Sequence, residues 1–152
     1  MSSLSLRFWK PHDLIGNAVC WKTDSDVAHV SVIVDGLEIE ALPGINVDYR
    51  FPRPFIGREY EFTLGFEAHD SVSHYINSII GDSYDYKKVL SFIFPWVRGD
   101  ERRLICSELA YGVMYSAGLI PEIVGQISPR DLELLAIQRK FDILEKSKTC
   151  YA

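Results

Sequence analysis

A thiol, an imidazole and a carboxylate can together make a nucleophile: the imidazole takes the thiol proton, and the carboxylate holds the imidazole in its tautomer and orientation. The chain has 152 residues with three cysteines and four histidines. Cys106 is the cysteine best placed for such chemistry. It stands in LICSELAYGVMYSAGL (residues 104–119), where an apolar approach through Leu104 and Ile105 becomes a helical pattern. Ser107 and Glu108 supply the polar, acidic first turn that helix starts favour. Leu109, Ala110, Val113, Met114 and Ala117 then recur on one helix face, and Gly118 with Pro121 marks the stop. A thiol at the mouth of a helix meets free backbone N–H groups and the positive end of the helix dipole, both of which favour the thiolate. The plain alternative is a small buried hydrophobe, so Cys106 needs a partner histidine elsewhere in the chain.

That partner lies in the clearest β signal of the sequence, AHVSVIV, then DG, then LEIEA. Asp-Gly between two alternating apolar runs marks a hairpin with a two-residue turn at Asp35 and Gly36. The turn sets the register: Val34 faces Leu37, Val32 faces Ile39, and Val30 faces Ala41, an apolar set and therefore the core face. On the other face lie His29, Ser31 and Ile33, with Glu38, Glu40 and Leu42 on the partner strand. Ser31 is then opposite Glu40, and His29 is one diagonal step from Glu40, a separation that two long side chains can bridge. Glu38 is opposite Ile33 and out of reach of His29, so the carboxylate that orients His29 is Glu40. Without Cys106, polar residues on the wet face of a sheet would need no further role.

The remaining elements must carry these residues. Leu4, Leu6 and Phe8 alternate, a Pro-His-Asp turn places His12 at the surface, and the apolar run 14–21 reads as a short strand. Residues 42–58, rich in proline, glycine and aromatics, read as an irregular loop packed on the surface, because disordered linkers lack such apolar content. Residues 59–67 alternate Tyr60, Phe62, Leu64 and Phe66 as a strand. A helix is expected from Asp70 or Ser71 through Ile80, with Gly81 as its stop. His69 and His74 cap or decorate that helix; five residues apart, they would stand about 140° around it and share no metal. A further helix is expected within 82–94, ended by Pro95 and Trp96. Arg102 and Arg103 belong to a charged, solvated loop at 98–103. Ser128 and Pro129 read as N-cap and first residue of a last helix, which either runs on or gives way to a strand.

Composition limits the classes. The chain is of single-domain size, 47% hydrophobic and 24% charged, with 16 basic against 21 acidic residues and a net charge of −5. No basic run stands out, which argues against a nucleic-acid or anionic-membrane partner. No apolar run approaches the ~20 residues of a membrane span, so no stable membrane insertion is expected. Nor does the N-terminus carry the apolar core of a signal peptide. Cys20, Cys106 and Cys150 are odd in number and far apart, as expected of free thiols in a reducing, cytoplasmic compartment. No metal and no cofactor is indicated.

The segments HVSVIVDG-LEIEALPGI, GDSYDY and ICSELAYGVMYSAGL, followed by SPRDL, resemble the circularly permuted NlpC-type, papain-like cysteine hydrolases of the YiiX/YaeF kind, in scattered blocks between residues 21 and 131. In that group a histidine on an early strand precedes the cysteine, the reverse of the usual papain order. The third polar residue lies on the next strand in a context like IEA, and the nucleophile opens a CSEL-like helix. The resemblance implies an α+β, permuted papain-like fold over residues 1–152, an antiparallel sheet packed against helices. It also implies Cys106 as nucleophile, His29 as base and Glu40 as orienting residue in a thiol peptidase or amidase. The chain departs from the group in lacking a visible signal peptide or lipid anchor, so a cytosolic or phage-encoded setting fits it better than the cell envelope. The oxyanion would be held by the Cys106 N–H and a second donor, for which Tyr84 and Tyr86 are candidates. The substrate is a peptide, lipid or glycopeptide. Three other classes use the same frame: an acyltransferase like the lecithin retinol acyltransferase group, a protease of ubiquitin-like conjugates, and a non-enzymatic binding module.

Overall fold

The turn at Asp35 and Gly36 makes the sharpest local decision in the chain. Both residues take positive φ, 49° and 83°, the type I′ geometry whose twist matches that of the flanking strands. The computed structural model describes residues 1–42, 45–82 and 105–150. The turn joins β2 (His29–Val34) to β3 (Leu37–Leu42), with Val34 opposite Leu37 and Val32 opposite Ile39, the register expected from the sequence.

Five antiparallel strands form one sheet in the order β4-β3-β2-β1-β5, with β1 Ser2–Trp9, β4 Ile45–Arg50 and β5 Gly57–Leu64. Alternation gives each strand two faces. Leu4, Leu6, Phe8, Val30, Val32, Ile39, Ala41, Phe62 and Leu64 are all buried on one face. They join Val72 and Ile76 of α2 (Phe66–Ile79) and Leu109, Ala110, Val113 and Met114 of α3 (Cys106–Ser116) in a single core. The fold is thus α+β, an antiparallel sheet with helices against it. α1 (Leu14–Thr23) and α4 (Pro129–Cys150) complete the described helices.

The other face carries charge, yet much of it is buried. Topology supplies the cover. β4 and β5 are the two edges of the sheet and are joined only by residues 51–56. Four inter-strand spacings are about 19 Å, and the seven Cα steps from Arg50 to Gly57 reach about 23 Å when extended. The connection therefore crosses the polar face as a nearly taut strap. Arg7 Nη1 donates to Arg53 O at 3.3 Å, Lys10 N donates to Ile56 O at 3.2 Å, and Phe55 packs edge-on to Trp9 at 4.9 Å.

Several local expectations need correction. Residues 14–21 form no strand: they lie in α1, whose Asp13 N-cap accepts from Gly16 N at 2.6 Å. Leu14 and Trp21 are exposed, so an apolar run with neither period left strand and helix undistinguished. Within 42–58 residues 45–50 are not loop: Ile45–Arg50 pairs with β3, Asp48 opposite Glu40 and Arg50 opposite Glu38. The strand at 59–67 runs instead from Gly57 to Leu64, and α2 begins at Phe66, before Asp70; Phe66 is exposed, so its apolar character carried no strand signal. The last element is one helix. Ser128 Oγ accepts from Asp131 N at 3.1 Å while Asp131 Oδ2 accepts from Ser128 N at 3.0 Å, a reciprocal cap. The helix expected within 82–94, the loop 98–103 with Arg102 and Arg103, and the candidate donors Tyr84 and Tyr86 lie outside the described residues, as does the side chain of Cys150.

Candidate active site

α3 presents Cys106 because both of its ends are fixed. At the N-terminus Glu108 Oε2 accepts from Ile105 N at 3.2 Å, satisfying one orphan N–H of the first turn. Ser107 donates to Ile127 O at 2.7 Å. At the C-terminus Gly118 takes φ 67° and Leu119 N donates to Met114 O at 2.9 Å, a Schellman closure that needs the left-handed conformation. Midway, a Cβ on Gly112 would lie 2.0 Å from the Tyr75 ring, so the glycine sets how closely α2 approaches. Cys106, as the first helical residue, is only 6% exposed.

The hairpin brings the other two residues to it. His29 Nε2 and Glu40 Oε2 are 2.8 Å apart, across the diagonal read from the register. Ser31 donates to Glu38 Oε1 at 2.5 Å across the parallel diagonal. The two buried glutamates, two residues apart on β3, thus take different residues of β2. With Nε2 on Glu40, the other ring nitrogen of His29 is left for Cys106, which is near enough to couple electrostatically to the imidazole.

Charge at this site is strongly coupled. Burial pushes the His29 pKa down, but interaction with Cys106 and then with Glu40 outweighs it and raises the value to about 9. Glu40 is buried, which alone would raise its pKa; the hydrogen bond and charge of His29, followed by Arg53, hold it below the ordinary carboxylate value instead.

Arg53 is the residue that sequence reasoning missed. Its Nη2 donates to Glu40 Oε2 at 2.8 Å, its backbone N donates to Glu38 Oε2 at 3.3 Å, and its guanidinium lies 4.4 Å over the Trp9 ring. Trp9 Nε1 in turn donates to Ser31 Oγ at 2.8 Å. The signal was the mixture of arginine with proline and aromatics in RFPRPF, but nothing local says which strands that segment crosses. Glu40 Oε1 takes no hydrogen bond among the described residues and has Arg50 Nη1 at 3.9 Å.

The other histidines lie apart from this site. His69 pairs with Asp35 at 2.6 Å, and His74 lies 3.7 Å from Asp70; His12 is exposed. Cys20 is a buried free thiol, and burial followed by the Asp26 charge pushes its pKa up. No described helix is long and apolar enough to cross a membrane. The arrangement of Cys106, His29 and Glu40 can generate a thiolate beside an imidazolium, the starting state of nucleophilic acyl chemistry.

Comparison of the chain with family models, with curated proteins and with solved structures finds no match.

Proposed function

We propose that this protein is a cysteine hydrolase of the amidase or peptidase type, with a permuted papain-like fold of the NlpC type similar to the YiiX/YaeF group. One observation carries the reading: the His29 ring is held by the Glu40 carboxylate and coupled electrostatically to Cys106 at the start of a buried helix. Burial and pairing of this kind are the usual surroundings of a poised nucleophile.

In the proposed reaction the Cys106 Sγ thiolate attacks the carbonyl carbon of an amide or ester. Its electron pair forms the C–S bond, and the carbonyl oxygen takes the negative charge. The Cys106 backbone N–H, unpaired within the first helical turn, is one donor to that oxygen. Collapse breaks the bond to the leaving amine or alcohol, which takes its proton from the His29 imidazolium and leaves a thioester. Neutral His29 then removes a proton from water, whose oxygen attacks the thioester carbon. Collapse then expels the Cys106 thiolate beside the imidazolium formed in that step, which regenerates the pair and releases the acid. Glu40 and Arg53 keep the imidazole aimed throughout.

The test is the rate of Cys106 alkylation by iodoacetamide against pH, read by peptide mass spectrometry, in the native chain and in His29→Ala. The proposal expects rapid labelling near pH 6, where an ordinary thiol with a pKa of ~8.5 is almost wholly protonated, and loss of that labelling in the variant. Labelling of Cys106 no faster than a free thiol at the same pH, or identical in both proteins, overturns it. Transfer of the acyl group to an added amine or alcohol in place of water uses the same thioester, and product analysis separates the two.

A further inference from the structure

α4 has two apolar stripes, and among the described residues the fold buries only one. Leu132 and Ala136 are fully buried, and Glu133 beside them is held by Arg58. The second stripe is Leu134, Ile137, Phe141 and Leu144, exposed by 51%, 42%, 58% and 58%. At 100° per residue these four fall within an arc of about 80°, centred about 160° from Leu132. A helix on the surface of a self-sufficient domain is polar there. The helix also outruns the body: residues 143–148 are exposed on every side, Ile143 included. Helical turns with no packed neighbour are marginal in water.

The spacing of three, four and three residues is the a/d pattern of a coiled coil, with Leu134 and Phe141 at a and Ile137 and Leu144 at d. The flanking charges select both the partner and its direction. In a parallel pair of this helix with itself, Lys140 at g faces Glu145 at e of the other copy, and the contact occurs twice by symmetry. Glu133, the other g residue, stays buried against Arg58 of its own chain and takes no part in the seam. In an antiparallel pair Lys140 would approach its own copy and Asp131 would approach Glu145, both like-charge contacts. The buried stripe points away from the seam, so the two bodies sit on opposite outer sides without collision. Lys140 Nζ lies 5.1 Å over the Phe62 ring, and Lys148 Nζ donates to Glu145 at 2.9 Å on the exposed surface.

We propose that residues 134–144 form a homodimer seam, on which a second copy of the chain packs its own α4 as a short, parallel coiled coil. Two heptads bury little area, so the association belongs in the micromolar range.

Sedimentation velocity on the full chain, from about 1 to about 300 μM, tests this. The native chain should pass from monomer to dimer across that range. Phe141→Glu, at an exposed position, should remain monomeric with an unchanged circular dichroism spectrum, since both copies lose an aromatic contact and the dissociation constant rises by about a hundredfold or more. Lys140→Glu alone should weaken the dimer, and adding Glu145→Lys should restore it, a rescue that loss of the Phe62 contact would not produce. A chain that stays monomeric at ~300 μM overturns the proposal. So does a dimer that Lys140→Glu leaves unchanged and that adding Glu145→Lys makes tighter than the native one, because in an antiparallel pair position 140 meets its own copy and position 145 meets Asp131. A monomer that binds phosphatidylcholine vesicles through the same stripe also overturns it, assigning the face to lipid.

Discussion

Two ion clusters occupy the same sheet, and they differ in what they leave unfinished. In one, Arg58 on β5 donates to Glu133 of α4 at 2.5 and 2.9 Å and to both oxygens of Asp26 at 2.7 Å, while Tyr60 donates to Glu133 at 3.0 Å. Every group there has its partner, and the cation is an arginine that stays charged at any working pH. Its hydrogen bond holds Asp26 down at about 2. This cluster ties the last helix and the entrance of β2 to an edge strand. In the other cluster the central cation is a histidine, shared between a carboxylate and a thiol, and one oxygen of Glu40 takes no hydrogen bond among the described residues. A saturated cluster around a permanent charge stabilises a fold. A buried cluster around a group that can lose its proton is the arrangement that proton transfer requires, and the proposed function assigns that role to the second cluster.

Variants should break this comparison cleanly, the largest effect first. Cys106→Ala should abolish turnover, by about 10⁴-fold or more, while thermal melting shows a folded protein. Glu40→Gln keeps the shape but loses the charge that orients His29, so turnover or low-pH labelling of Cys106 should fall by roughly 10- to 100-fold. Glu133→Ala should do the reverse. Urea titration should show a loss of about 2 kcal/mol, kept this low because Arg58 is 40% exposed, with the labelling rate of Cys106 unchanged.

The pH behaviour sharpens the contrast. NMR titration of His29 should give a value near 9 in the native chain and a lower one in Cys106→Ala, since Cys106 is the strongest influence raising it. Glu40 has its pKa lowered by folding, so the stability it contributes is present above the unfolded value of ~4.3 and is lost as pH falls toward the folded one. Glu40→Gln should therefore flatten part of the acid limb of stability against pH.

What could be read from residues alone was whatever short-range geometry controls. The Asp-Gly turn admits one register, and from that register followed the pairing of Val32 with Ile39 and the choice of Glu40 over Glu38 for His29. Gly118 closes α3, and Ser128 opens α4, for equally local reasons. Where two conformations satisfied the same local rules, reading failed: the apolar run 14–21 became α1 through the Asp13 cap, and residues 45–50 became a strand because β3 had a free edge. Only the tertiary structure decided that β4 and β5 would take opposite edges. That choice drew residues 51–56 across the polar face and set Arg53 on Glu40, from 13 residues away in sequence. It also decided that α3 would bring Cys106 to His29, across 77 residues. Turns and caps are settled by a few neighbouring torsions and hydrogen bonds. Strand order and helix docking are settled by the burial of a whole face, a quantity that no local stretch of sequence contains.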